Sequence, residues 1–197
     1  WEICPQRGEG MALSFVTTNE GKAREAKEIA LKFGIEVEQV PLPYLEIQSD
    51  RLEDIVKVGA QQAYAMLKRP CFVEDSGLFV EALGGFPGPY SSYVFRTIGN
   101  RGILKLLEKV GNRRAEFKSA VGYCQSATEV FVFSGEVRGS IAEEMRGTGG
   151  FGYDPIFKPE GKELTFAEMS VEEKNRLSHR GKAIEGFFRW YLLHKEE

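Results

Sequence analysis

Apolar positions along this chain change their period several times, and each change marks an element. Residues 12–18, ALSFVTT, are short and rich in β-formers, and they run into NEGKAREAKEIALKFG, where Ala23, Ala26, Ala30 and Phe33 recur at helical spacing. This predicts a strand, a tight turn and a helix, with Gly34 as the C-terminal cap. Alternation returns over residues 35–40 as a second strand. After a proline-containing connection, Asp50 and Glu53 read as a helix start ahead of Leu52, Ile55, Val56, Gly59, Ala63 and Met66, the helix ending before Pro70.

The next segment, CFVEDSGLFVEAL, sets two short apolar runs around a polar EDSG centre, and the Gly- and Pro-rich GGFPGPYSS after it marks a loop. A helix is expected over residues 101–110. RAEFKSAVGYCQ and EVFVFSGEVRGSI alternate on either side of Ser126, Ala127 and Thr128 and predict two long antiparallel strands. The last third holds a Gly-rich loop (RGTGGFGYDP), a capping box from Thr165 to Glu168, and a helix carrying Ile184, Phe187, Phe188, Tyr191 and Leu192. Helices on either side of a hairpin point to an α/β fold with a mixed sheet. With no repeat or linker, one domain over residues 11–197 is expected, and the polar residues 1–10 before Met11 are set outside the fold.

Composition narrows the classes. A chain of 197 residues, 42% hydrophobic and 28% charged, is long enough to bury a core. Its formal net charge of -3 supplies no global positive field for a nucleic-acid backbone. No apolar run approaches a membrane span, and the N-terminus lacks a signal-peptide pattern, so a cytoplasmic location is expected. Cys4, Cys71 and Cys124 are widely spaced without a CxxC pair and read as reduced thiols rather than a zinc site.

Four segments carry candidate chemistry. TTNEGK, with Thr17, Thr18, Asn19, Glu20, Gly21 and Lys22, places hydroxyls, an amide and a lysine at a strand-to-helix turn. Backbone N–H groups there suit a phosphate, although the same residues serve as an ordinary helix cap. In VEDSGL, Glu74 and Asp75 interrupt an apolar run, which favours a compensating divalent metal or a Lys or Arg partner. Strand neighbours face opposite ways, so the two acids are expected to share a site only if the backbone breaks at Ser76 and Gly77. GTGGFGYDPIF offers Phe151 and Tyr153 as flat faces with Gly152 and Asp154 beside them, or else a structural loop. EKNRLSHRGKA gathers Lys174, Asn175, Ser178, His179 and Arg180 ahead of an apolar helix, as donors for a base edge or phosphate or as a solvated face.

In this order, TTNEGK, EDSGL, GFPG, GFGYDPIF and EKNRLSHRGKA resemble the inosine/xanthosine triphosphate pyrophosphatase family, the Ham1-like proteins, from Leu13 to about Trp190. PYSSYVFRTIG, with Arg96, stands where bacterial relatives commonly carry S-A-R, and is closer to archaeal members. The resemblance implies a mixed, strongly twisted sheet flanked by helices, two lobes around a central nucleotide-binding cleft, and a homodimer. It implies Mg²⁺ as cofactor and hydrolysis of deaminated purine nucleoside triphosphates such as ITP, dITP and XTP to the monophosphate and pyrophosphate.

By the same resemblance residues 17–22 cradle the triphosphate, with Lys22 offsetting charge on the leaving group. Asp75 is the proton acceptor or metal ligand, Glu46 the second metal position with Glu74 its competitor, and Ser76 a substrate contact. Phe151, Gly152, Tyr153 and Asp154 form the base-contacting loop, and Lys174, His179 and Arg180 lie near the base edge. A free aspartate, with a pKa near 4, is a weak base, which favours Asp75 as orienter and metal ligand. Two other readings compete: a Maf-like nucleotide pyrophosphatase of different base specificity, against which the SHR cluster and FGYD loop argue, and an inactive nucleotide-binding protein, against which Glu46, Glu74 and Asp75 argue.

Overall fold

The structure, a computed structural model, describes residues 12–194. The expected extension over residues 1–10, and Cys4 with it, lies outside the described residues. The elements follow as β1 (Leu13–Val16), α1 (Glu20–Lys32), β2 (Val37–Val40), α2 (Leu52–Leu67), β3 (Cys71–Val80), β4 (Pro87–Gly88), α3 (Ser91–Thr97), α4 (Gly99–Leu106), β5 (Arg114–Cys124), β6 (Val130–Ile141), β7 (Phe157–Pro159), α5 (Val171–Leu177) and α6 (His179–His194). None of the described helices is long and apolar enough to cross a membrane.

Asn19 starts α1 by accepting the Lys22 N–H at 3.1 Å, and Gly34, at φ +65°, follows its last turn. For α2 the expected Asp50/Glu53 start is not what forms: Arg51 is the cap residue and offers no side-chain bond. Instead Ser49 Oγ accepts the Arg51 N–H at 3.1 Å. The helix ends as expected before Pro70, on Lys68 in the left-handed region. Within the GFPGPYSS region, read as a loop, β4 and α3 form, and the helix expected at 101–110 begins earlier, at Gly99. The Thr165 to Glu168 capping box is present and closes a 3-10 turn.

The sheet is mixed and seven-stranded, ordered β2-β1-β3-β5-β6-β7, with β4 paired to β3. From β1 the chain steps outward through α1 to β2, then back across β1 through α2 to β3, and all three strands are parallel. Right-handed crossovers in opposite directions put α1 and α2 on opposite faces. Phe15 and Phe72 stack at 4.4 Å on the α1/α6 side, where Phe72 also meets Phe187 at 5.1 Å. Val73, Ala120 and Val56 pack on the α2 side. There a Cβ at Gly122 would fall 2.4 Å from the Val56 carbonyl oxygen, so only glycine lets α2 lie this close.

The backbone does not break at Ser76 and Gly77. Strand β3 is continuous because β5 pairs with it along its whole length, from Cys71↔Cys124 to Val80↔Ala115. The other edge of β3 is interrupted instead. Strand β1 pairs only at Cys71 and Phe72, and β4 only at Leu78 and Phe79, so residues 73–77 form a notch with no strand beside them. The notch holds Glu74, Asp75 and Ser76 and lies at the C-terminal end of β1, where the connections reverse direction. In open α/β sheets that is where ligands bind.

Candidate active site

A strand edge without a neighbour presents unpaired backbone groups. Lys22, in the first turn of α1, reaches into the notch: its Nζ donates to the Glu74 carbonyl oxygen at 3.0 Å, and lies 2.9 Å from Glu74 Oε2 and 3.8 Å from Asp75 Oδ1. The two acids point to opposite faces, as strand geometry requires, yet one lysine at the edge touches both. An intact strand with a missing neighbour therefore joins them, without the backbone break that a shared site would otherwise need.

Glu74 is fully buried. Its Oε1 accepts from Ser119 Oγ at 2.6 Å and lies 3.2 Å from Arg180 Nε. Burial would raise its pKa, but Arg180, Lys22 and the Ser119 hydroxyl together hold it well below the usual carboxylate range. Salt bridges from Lys22 and Arg180 on its two oxygens make Glu74 a fixed counterion. Asp75 differs. Burial, with the charges of Glu74 and Glu46, lifts it to about 6 against the pull of Lys22.

Glu46 stands in the irregular segment between β2 and α2, held from α2 at two points. Gln62 brackets the neighbouring residue, accepting the Leu45 N–H at 3.2 Å and donating to its carbonyl at 2.8 Å. Tyr44 lies flat on Gly59, where a Cβ would come within 2.7 Å of the ring. Burial and then the charges of Glu46, Asp75 and Glu74 raise the Tyr44 pKa.

The SHR cluster is not a solvated face. Lys174, Asn175, Ser178, His179 and Arg180 are all buried. The residue that gathers them, Glu25 on α1, was not singled out from sequence. Its Oε1 accepts from Lys174 Nζ at 2.6 Å and its Oε2 from Arg180 Nη1 at 2.5 Å. Burial would raise Glu25, and the two cations override it and hold it below its ordinary value. Lys174 also meets Asp154 Oδ2 at 2.6 Å, and Arg180 Nη2 donates to Ser76 Oγ at 2.9 Å. Charges thus alternate without a gap from Asp154 through Lys174, Glu25, Arg180, Glu74 and Lys22 to Asp75. Four carboxylates face three cations, and Asp75, 3.8 Å from Lys22, is the more loosely paired of the two ends.

Phe151 connects the two halves of the site. Its ring rests on Gly21, where a Cβ would stand 2.8 Å from Cδ1. Lys174 Nζ lies 4.8 Å and Arg180 Cζ 5.1 Å from its centroid. Asp154 accepts the Phe151 N–H at 2.8 Å, which tightens the loop. His179 stacks on Phe117 at 4.5 Å, with Nδ1 buried and unpartnered. Burial, then the Arg180 charge, keeps its imidazole neutral, well below the usual 6.5. Tyr153 turns inward, donating to the Ser91 carbonyl at 3.0 Å, so it braces the loop and offers no open stacking face. Of the first turn, Thr18, Asn19 and Glu20 are exposed, while Thr17 is tied to β2 through its N–H to Val40 O at 3.1 Å.

Known proteins resemble this chain in sequence and in fold. The sequence model of the Ham1 family matches residues 13–190. The dITP/XTP pyrophosphatase of Methanopyrus kandleri is 60% identical over 92% of this chain and 96% of its own length. That of Pyrococcus horikoshii is 54% identical over 91% and 96%. Among solved structures, a HAM1 protein from Coxiella burnetii superposes with a TM-score of 0.80 at 28% identity, covering 91% of this chain and 98% of that one. The Staphylococcus aureus Ham1 protein does so with a TM-score of 0.77 at 29% identity, covering 93% and 100%. Likeness that runs through nearly the whole chain, in sequence and in fold, has one explanation: this chain belongs to the Ham1 family.

Proposed function

We propose that this chain hydrolyses deaminated purine nucleoside triphosphates, among them ITP, dITP and XTP, to the monophosphate and pyrophosphate. The observation that carries the reading is the seat of Phe151 on Gly21, with Lys174 and Arg180 at its ring. It puts a base platform and a phosphate turn within one site. Relatives up to 60% identical that are named dITP/XTP pyrophosphatase support the same activity.

In this reading residues Thr17 to Lys22 receive the triphosphate on the first-turn N–H groups of α1, and Lys22 balances charge as pyrophosphate leaves. Asp75 and Glu46 would hold Mg²⁺, and the looser pairing of Asp75 at that end of the ion chain fits a cation there. Among the described residues no group of three or more acidic, His or Cys side chains is set to enclose a metal. Two carboxylates completed by phosphate oxygens and water are what Mg²⁺ accepts. When bound, the ion supplies charge neutralisation at the triphosphate. Asp75 also orients a water for in-line attack on the α-phosphorus, and Arg180 fixes Ser76 beside it.

The base stacks on Phe151 and meets the donors Lys174 and Arg180, with neutral His179 behind them. A carbonyl at C6 accepts from such donors, whereas the amino group of adenine would oppose them and leave both sides unpaired. The same proposal takes the described fold as one catalytic domain acting as a cytoplasmic homodimer on free nucleotides, and neither on nucleic acid nor at a membrane. The net charge of -3, which offers no global positive field, supports the exclusion of nucleic acid, and light scattering tests the dimer.

Pyrophosphate release from ITP, dITP, XTP, GTP, ATP and dUTP, with and without Mg²⁺, tests the whole reading. Metal-dependent preference for ITP and XTP of about tenfold or more is expected. A flat or pyrimidine-biased profile would point to Maf-like specificity, and no release from any of them to a binding protein.

A further inference from the structure

The segment from β4 to α4 has no part in the chemistry above, although GFPGPYSS stands out in the sequence. Its side chains converge on the base loop. Ser91 Oγ accepts the Leu78 N–H at 2.8 Å and donates to the Gly88 carbonyl at 2.7 Å, fixing the start of α3 against β3 and β4. The Ser91 carbonyl in turn takes the Tyr153 hydroxyl at 3.0 Å, and Phe95 meets the Tyr153 ring edge-on at 5.4 Å. One residue further into the loop, Asn100 Nδ2 donates to the Gly152 carbonyl at 3.0 Å.

Gly152 divides the loop. At φ +62° it occupies the left-handed region, and the side chains on its two sides part there. Phe151 goes to Gly21 and the cations Lys174 and Arg180, while Tyr153 goes to α3. The peptide that follows Gly152, on the far side of the left-handed residue from Phe151, fixes where the loop parts and so the point from which the Phe151 ring is presented. Asn100 is the side chain that holds this peptide.

Asn100 also leaves a signature that packing alone does not explain. It is buried, 7% exposed, and its Oδ1 is buried without a partner. An aliphatic side chain of similar size would fill the position without orphaning an acceptor. The amide is accounted for by the one bond its other end makes.

Resting on the nucleotide reading above, we infer that Asn100 is a positioning residue for base recognition, setting the Phe151 platform through its hydrogen bond to Gly152. It touches no phosphate-binding residue, so its effect falls on substrates that carry a base. The test is Asn100→Leu, which keeps the volume and removes the donor. ITP hydrolysis is measured with Mg²⁺, and inorganic tripolyphosphate serves as a competing ligand that has phosphates and no base. The expected result is a KM for ITP raised about tenfold, kcat within about twofold, and an unchanged inhibition constant for tripolyphosphate. Asn100→Ala repeats the measurement without inserting bulk. Both constants are independent of the folded fraction, so partial misfolding does not blur their ratio.

An unchanged KM for ITP in both variants, or equal weakening of ITP and tripolyphosphate, would overturn the assignment. Wild-type protein silent on ITP would overturn the proposed function; wild-type activity that both variants reproduce would overturn the role of Asn100 alone.

Discussion

Lys22 touches Glu74 twice through one nitrogen, at the carbonyl oxygen at 3.0 Å and at the carboxylate at 2.9 Å. One cation thus satisfies the strand edge and the acid set in it. Lys22→Met leaves a buried carboxylate short of a partner and a backbone carbonyl without a donor. We expect a stability loss of about 3 kcal/mol in urea unfolding and a fall in turnover of about 100-fold. An unchanged unfolding midpoint would show that Arg180 and Ser119 alone suffice for Glu74.

At Asp75 stability and activity should part company. Its folded pKa, about 6, lies above the ordinary 3.8, so the native state holds this proton more tightly than the unfolded chain does. Ionisation at neutral pH therefore opposes folding. The penalty is full above about 6 and is relieved as pH falls toward 3.8. Asp75→Asn removes it: in metal-free buffer at pH 7 the variant should be more stable by about 2 kcal/mol, while turnover is abolished and nucleotide binding stays measurable. Near-normal turnover, or a lower melting temperature in chelator, would contradict this.

His179 works in the opposite sense. Its imidazole stays neutral in the fold well below 6.5, so the unfolded chain takes up a proton below that pH and the native protein does not. Its contribution is complete above 6.5 and shrinks as pH falls, by up to about 1.4 kcal/mol per pH unit. Glu25 and Glu74, both held below their ordinary values, add a loss of the same sign beginning near 4.5. Replacing His179 with Gln should flatten the urea midpoint between pH 7 and 5. A wild-type decline that persists in the variant would assign it to another group.

Reading the sequence recovered most of what periodicity encodes. The start and end of α1, the long β5 and β6 pair and the apolar face of α6 are all local patterns, and they formed near the expected places. What sequence did not disclose depends on neighbours distant in the chain. The continuity of β3 is decided by β5, some forty residues later, and no property of EDSG announces it. Glu25 lies on an otherwise apolar helical face among Ala23, Ala26 and Ile29, and a charge at such a position is the local signal for it. The Lys174 to Arg180 cluster was found for its donor density, but only the fold shows these donors to be buried.

The gap in the sheet over residues 73–77 makes this site sensitive to distance in an unusual way. Its floor is whatever the flanking strands fail to cover. Lengthening β1 and β4 until together they covered all of residues 73–77 would seal the opening with ordinary main-chain hydrogen bonds and extinguish the chemistry with every functional side chain still in place. The shortness of those two strands is therefore as much a part of the active site as Asp75 or Lys22, and loop lengths around them carry functional information that residue identity does not.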